Sequence, residues 1–271
     1  MKNNHLPGVV PSKVDIRDYK IRSDVASAAP LPDEFSRVSP TVKNQGSKPT
    51  CAAHAGSTII EGFYQSQHEK YRRFSTEWIY GHRYDYFGDG MSLRDVITTL
   101  YKLGDVYETE LSGNHNVDEA MKIVSEKEDE LKSSAYPHRI TRYFRPNGET
   151  QMKRAIFDHG YLLVSMNVRE KDHLEKNIWV TDTNNAMTGA HAVVIFGWND
   201  RGWLVQNSWG SSWGDGGRFI IPFNFEFNEV WGTEDTDVEG DDLIEPYVSP
   251  IGRIFALIVN FIINLFKRRT T

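Results

Sequence analysis

The hydrophobic pattern of this chain changes period halfway along, and that change limits the folds open to it. After Cys51, the residues Ala52, Ala55, Ile59, Ile60 and Phe63 recur at three- and four-residue steps, which predicts a helix. Thr50 stands at its predicted N-cap. Further helices are predicted over 75–85 and 92–103, the latter opening at Ser92 and stopping at Gly104. Residues 118–134 and 149–159 read as polar surface helices, the second ending at Gly160. From Tyr161 the pattern turns to short β-branched and aromatic runs at 161–168, 190–198, 203–207 and 218–221, separated by Gly and Asn-Asp breaks. Trp198 and Trp203 flank one such break and are expected in the core of a strand lobe. Helices first and strands second predict an α+β protein with two lobes and a cleft between them, the second lobe an antiparallel, barrel-like sheet.

The composition agrees with a globular chain: 271 residues, 39% apolar and 25% charged. A single cysteine excludes an internal disulfide framework and a Cys-rich metal site. A net charge of −6 argues against nucleic acid as a partner, since no basic excess exists to neutralise phosphates. The N-terminus lacks the apolar stretch of a secretory signal, which points to the cytoplasm. Pro7, Pro11, Pro30, Pro32 and Pro40 predict extended chain through the first 44 residues.

The predicted organisation is a lead over 1–40, a main domain over 41–231, an acidic linker over 232–250 and an apolar, basic-ended helix over 251–271. The linker carries net −7 and the final segment +4. The apolar stretch Ile254–Phe266 is shorter than the ~20 residues a spanning helix needs. Arg253, Asn260, Asn264 and Lys267 form one polar stripe on a helix. Two occupants fit the opposite face: a membrane surface, with Lys267, Arg268 and Arg269 drawn to anionic lipid, or a docked protein.

Cys51 at a predicted helix start is where free N–H groups and the helix dipole favour a thiolate. A thiolate nucleophile needs a base, a group to orient that base, and a donor for the oxyanion. His191 lies in GAHAVVIFGW, 140 residues after Cys51. Asn207 lies in QNSWGSSWGDGG, 16 residues further on, and Gln45 lies in KNQGS, six residues before Cys51. These four motifs, in this order and at these spacings, resemble the papain family of cysteine peptidases. VDIRDYK, LPDEFS, FSTEWIYGHRYD, MSLRDVITTLYKLGDVYETE and WGDGGRFII extend the likeness, toward its bacterial and viral branch, over residues 14–222.

The resemblance implies a papain-like fold, a protein or peptide substrate, and no metal or organic cofactor. It assigns Cys51 as nucleophile, His191 as base and acid, Asn207 as the orienting amide and Gln45 as oxyanion donor. Trp209 would shield the His–Asn bond, and Gly90, Met91 and Ala190 would lie along the substrate; Gly90, Met91 and Ser92 fit a plain helix start equally well. Several positions depart from the family. Lys48 replaces a second cysteine, Ala52 replaces a tryptophan, and His54 stands where an aromatic is usual. Only 44 residues precede Gln45, so the long inhibitory proregion of secreted relatives is expected to be absent or much reduced. His54 is expected to be a packed helix residue, and His115, His138, His159 and His173 surface groups. Acyl transfer on the same Cys–His pair, or peptide capture without catalysis, would use the same residues.

Overall fold

The computed structural model describes residues 5–13, 15, 30–84, 88–113 and 115–235. They lie in a compact unit, Met1–Thr236; the second unit, Asp237–Thr271, holds most of the expected linker and the final helix, which lie outside the described residues. No helix among the described residues is long and apolar enough to cross a membrane.

The first half builds around α1 (Cys51–His68). From Cys51 to Phe63 every residue is buried. The helix therefore runs through the core, and the small residues Ala52, Ala53, Ala55 and Gly56 let its neighbours approach. Thr50 occupies the N-cap position, but its side chain makes no capping bond. The first-turn amides are thus left free for another partner. The helices α2 (Thr76–Gly81) and α3 (Leu93–Lys102) pack beside it. Ser75 caps α2 through Trp78 N at 3.0 Å, and Ser92 caps α3 through Asp95 N at 3.1 Å. α2 is shorter than the pattern suggested, because the chain turns after Gly81 and sends Arg83 toward the carbonyls of Gly88 and Gly90. The polar helices are α4 (Val117–Ala135), opened by an Asn116/Glu119 capping box, and α5 (Gly148–Asp158).

Eleven strands are described. The short β1 (Val9–Val10) and β3 (Met91–Ser92) pair in parallel, apart from the main sheet. The main sheet runs β4 (Arg142–Phe144), β11 (Glu229–Glu234), β5 (Leu162–Arg169), β8 (Met187–Asn199), β9 (Gly202–Gln206), β10 (Arg218–Ile221), β7 (Ile178–Val180) and β6 (His173–Glu175). β2 (Phe35–Ser36) pairs with β8, and all pairs in this sheet are antiparallel except β7 with β10. Trp198 and Trp203 are buried in its core, as expected.

β11 corrects the placing of the acidic linker, since residues 232–234 belong to a strand. Its carboxylates find partners that the local sequence does not contain. Glu234 pairs with Arg142 and lies 3.3 Å from His159 Nδ1, and Glu229 lies 3.5 Å from Arg145. Two other expectations fail for the same tertiary reason. His138 packs its ring against Phe74 and Tyr107, and His159 against Phe144, so neither is a simple surface group.

Candidate active site

The two halves meet where the loop before α1 zips to the loop after β9. Gln45 N donates to Ser208 O at 2.8 Å, and Gly210 N donates to Lys43 O at 2.9 Å. This seam brings Gln45, Cys51, His191 and Asn207 to one place. Cys51 is the first residue of α1, His191 lies inside β8, and Asn207 follows the end of β9. β8 and β9 are hydrogen-bonded neighbours, which is what carries residue 207 back to residue 191. All four side chains are buried.

A chain of hydrogen bonds fixes the orientation of each polar group. His191 Nε2–H donates to Asn207 Oδ1 at 2.8 Å. The Ser208 N–H donates to the same oxygen at 2.8 Å, which sets which way the Asn207 amide points. Ser208 Oγ–H donates to Gln45 Oε1 at 2.7 Å, so Gln45 Nε2 must face the other way. With Nε2 committed to Asn207, His191 keeps Nδ1 as its reactive nitrogen, and that atom has no hydrogen-bond partner among the described residues. Trp209 stacks on the His191 ring at 4.6 Å and covers the bond to Asn207. Ser208 carries no signal of its own in the sequence beyond lying inside the Asn-Ser-Trp-Gly turn.

The chain's own N-terminal segment, residues 5–13, lies in the cleft, a contact that the sequence alone leaves open. Gln45 Nε2 donates to Leu6 O at 3.0 Å and to Lys48 O at 2.9 Å. Met91 N donates to Gly8 O at 2.8 Å, and Val9–Val10 then pair with Met91–Ser92. The His5 ring stacks on Trp209 at 5.5 Å, and its Nδ1 lies 2.7 Å from Gly46 O. Pro7 packs on Gly189, the residue before Ala190, whose strand partner is Asn167. Further along, Ser12 N donates to Glu229 Oε1 at 2.8 Å, and Arg94 Nε donates to Lys13 O at 3.1 Å. The Gly8 N–H faces the Cys51 sulfur. The sulfur therefore meets an amide hydrogen of the segment.

The electrostatics follow from that closure. Burial pushes the Cys51 thiol up, against the backbone N–H groups of Ala192, Gly8, Ala52 and Cys51 itself, which pull it down. Burial likewise lowers His191 to about 4, although its bond to Asn207 works in the other direction. In the closed cleft the pair is a neutral thiol and a neutral imidazole, not the ion pair expected of a bare helix start. His54 sits one turn along α1, buried, with Nδ1 on Thr50 O at 3.0 Å and its pKa lowered to about 3. It is a neutral packing residue, as expected. No group of His, Cys, Asp and Glu among the described residues is placed to hold a metal ion.

Residues 33–230 match the papain family cysteine protease profile. Cathepsin K of Mus musculus is 24% identical over 198 residues, covering 68% of this chain and 56% of that protein. A gut-specific cysteine proteinase of Caenorhabditis elegans is 29% identical over 105 residues, covering 37% of this chain and 31% of that protein. The chain thus spans about a third to just over half of these curated relatives. Among solved structures, xylellain, a cysteine protease from Xylella fastidiosa, superposes with a TM-score of 0.71 at 24% identity, covering 87% of this chain and 98% of that one.

Proposed function

The chain belongs to the papain family of cysteine proteases, and on that premise we propose that it is a cysteine peptidase acting on protein or peptide substrates, described here with its cleft closed by residues 5–13. The observation that carries this reading is the contact of Gln45 Nε2 with the Leu6 carbonyl. The site already binds a peptide carbonyl at the donor that an oxyanion would use.

With the segment out of the way, the Cys51 thiol passes its proton to His191 Nδ1, the sulfur attacks the substrate carbonyl carbon, and the oxygen takes the negative charge. Gln45 Nε2–H and the Cys51 backbone N–H hold that oxyanion. His191 then gives a proton to the departing amine as the C–N bond breaks, leaving a thioester on Cys51. A water molecule that loses its proton to His191 attacks the thioester, and the acid departs as the thiol is restored. Asn207 keeps the imidazole in plane throughout, and Trp209 excludes water from their bond.

The test is hydrolysis of fluorogenic peptides by a Gly8→Ala chain, with Cys51→Ser as control and mass spectrometry for the acyl group on Cys51. Peptide binding without turnover or acylation would overturn the peptidase reading. The tail supports a second, separate proposal: residues 251–271 attach the protein peripherally to an anionic membrane surface, through their apolar face and basic end. Cosedimentation with phosphatidylserine vesicles, lost on reversing the charges of Lys267, Arg268 and Arg269, is the expected outcome.

A further inference from the structure

The peptide in the cleft is held on one side by β3, which is only two residues long. Such a strand cannot set its own position, and β1 is its sole described partner. A single cysteine also rules out a covalent staple. What holds it is visible one residue earlier. The Gly90 N–H donates to the Tyr80 hydroxyl at 3.1 Å. Arg83 Nη1 donates to the carbonyls of both Gly88, at 2.6 Å, and Gly90. The Arg83 guanidinium lies over the Tyr80 ring, 4.9 Å from its centre, so the two side chains also brace each other. Both are buried, Tyr80 at 1% and Arg83 at 6% exposure.

Gly90 therefore has its N–H and its C=O each fixed by a side chain from the end of α2. It needs that hold. Its φ is +98°, a conformation that side-chain-bearing residues rarely adopt, and a Cβ there would stand 2.6 Å from Gly8 O. The Met91 N–H that follows is the one that binds Gly8 O. Gly8 turns its N–H to the Cys51 sulfur and its C=O to the Met91 N–H, so the brace and the nucleophile flank the same stretch of bound peptide.

We propose that Tyr80 and Arg83 are positioning residues that set the Gly90–Met91 edge, and so govern how tightly the cleft holds peptide main chain, whether its own segment or a substrate. This deepens the peptidase reading at the same cleft. One guanidinium nitrogen, Nη1, binds both carbonyls while the planar head lies over the Tyr80 ring; a lysine ammonium has no plane to lay on that ring.

The experiment measures iodoacetamide labelling of Cys51, the only thiol, in the full chain. Tyr80→Phe removes one hydroxyl and keeps the ring; Arg83→Lys keeps the charge and loses the planar head that lies over Tyr80. Each is expected to speed labelling about fivefold, the worth of one hydrogen bond that holds the segment. Neither is expected to change labelling further in a Gly8→Ala chain, whose cleft is already open. In that open chain each variant raises KM for a peptide about fivefold and leaves kcat within twofold. Unchanged labelling and KM with a lower melting temperature would overturn the proposal and leave the pair as core packing. Faster labelling without any hydrolysis would keep the brace and reject the peptidase reading, so the two failures are distinct.

Discussion

Gly8 is pressed against Pro49: a Cβ on Gly8 would stand 2.0 Å from the Pro49 carbonyl oxygen. Only a residue without a side chain lets the segment reach the Cys51 sulfur at this point. The obstacle is backbone and cannot swing aside, so Gly8→Ala forces the segment out instead of repacking it. Overpacking of this kind costs about 1–3 kcal/mol, so Cys51 alkylation at neutral pH should rise by about tenfold or more. The core lies elsewhere, and the melting temperature should stay within a few degrees. Equal alkylation rates in the two proteins would mean the segment does not close the cleft.

Within the open chain, the orienting hydrogen bonds make ranked predictions. Gln45→Ala removes an oxyanion donor and should lower kcat about 10²–10³-fold with little change in KM. Ser208→Ala frees the Gln45 amide to rotate, because Oε1 loses its partner at 2.7 Å. Its effect should be smaller than that of Gln45→Ala, since the donor itself survives. Steady-state kinetics of the two variants, side by side, would refute this order if Ser208→Ala proved the more damaging.

The four reacting residues are legible in the sequence because each needs one chemical type at a local spacing. Gln45 precedes the helix start by a loop of fixed reach, and His191 and Asn207 sit on adjacent strands. The cleft segment is not legible, because its register comes from partners far along the chain: Gln45, Met91, Trp209 and Glu229. Nor does residue type mark Tyr80 or Arg83, whose partners are main-chain atoms of Gly88 and Gly90. β11 stays hidden for a related reason. Its acids read as solvated until Arg142, Arg145 and His159 arrive from elsewhere in the chain.

Lys43 and Glu61 make a stability prediction below the cleft. Lys43 Nζ lies 2.8 Å from Glu61 Oε1, with both side chains buried, and also donates to Ser57 Oγ and Phe74 O. Burial raises the Glu61 pKa, against the pull of Lys43, and raises Asp105 well above the usual carboxylate range. Lys43→Met would leave Glu61 buried without its cation, at a cost of about 3–5 kcal/mol in urea unfolding. Replacing both, as Lys43→Met with Glu61→Leu, should recover most of that. A double variant no more stable than the single one would show that the hydrogen bonds to Ser57 and Phe74, not the charge pairing, carry the effect.

Closure of the cleft should depend on pH with opposite signs on its two flanks. His191 is lowered to about 4 in the closed cleft, against an ordinary value near 6.5. A group depressed in this way favours closure fully above the ordinary value, and that contribution is lost as pH falls from about 6.5 toward 4. Cys51 is raised, so its contribution is present below the ordinary thiol value of about 8.5 and is lost as pH climbs through its raised value. Closure should therefore be tightest between about 6.5 and 8.5. Hydrogen exchange at the Gly8 amide, which faces the sulfur, reports it directly after correction for intrinsic rates. Protection should peak in that window and fall on the acid side. His5 shares Trp209 with His191, and its imidazole helps to lower the His191 pKa. His5→Phe keeps the stack and removes that imidazole, whereas His191→Phe removes the titrating group itself. The acid loss should survive the first change and vanish with the second; the reverse pattern would place the acid response on the segment and not on the catalytic histidine.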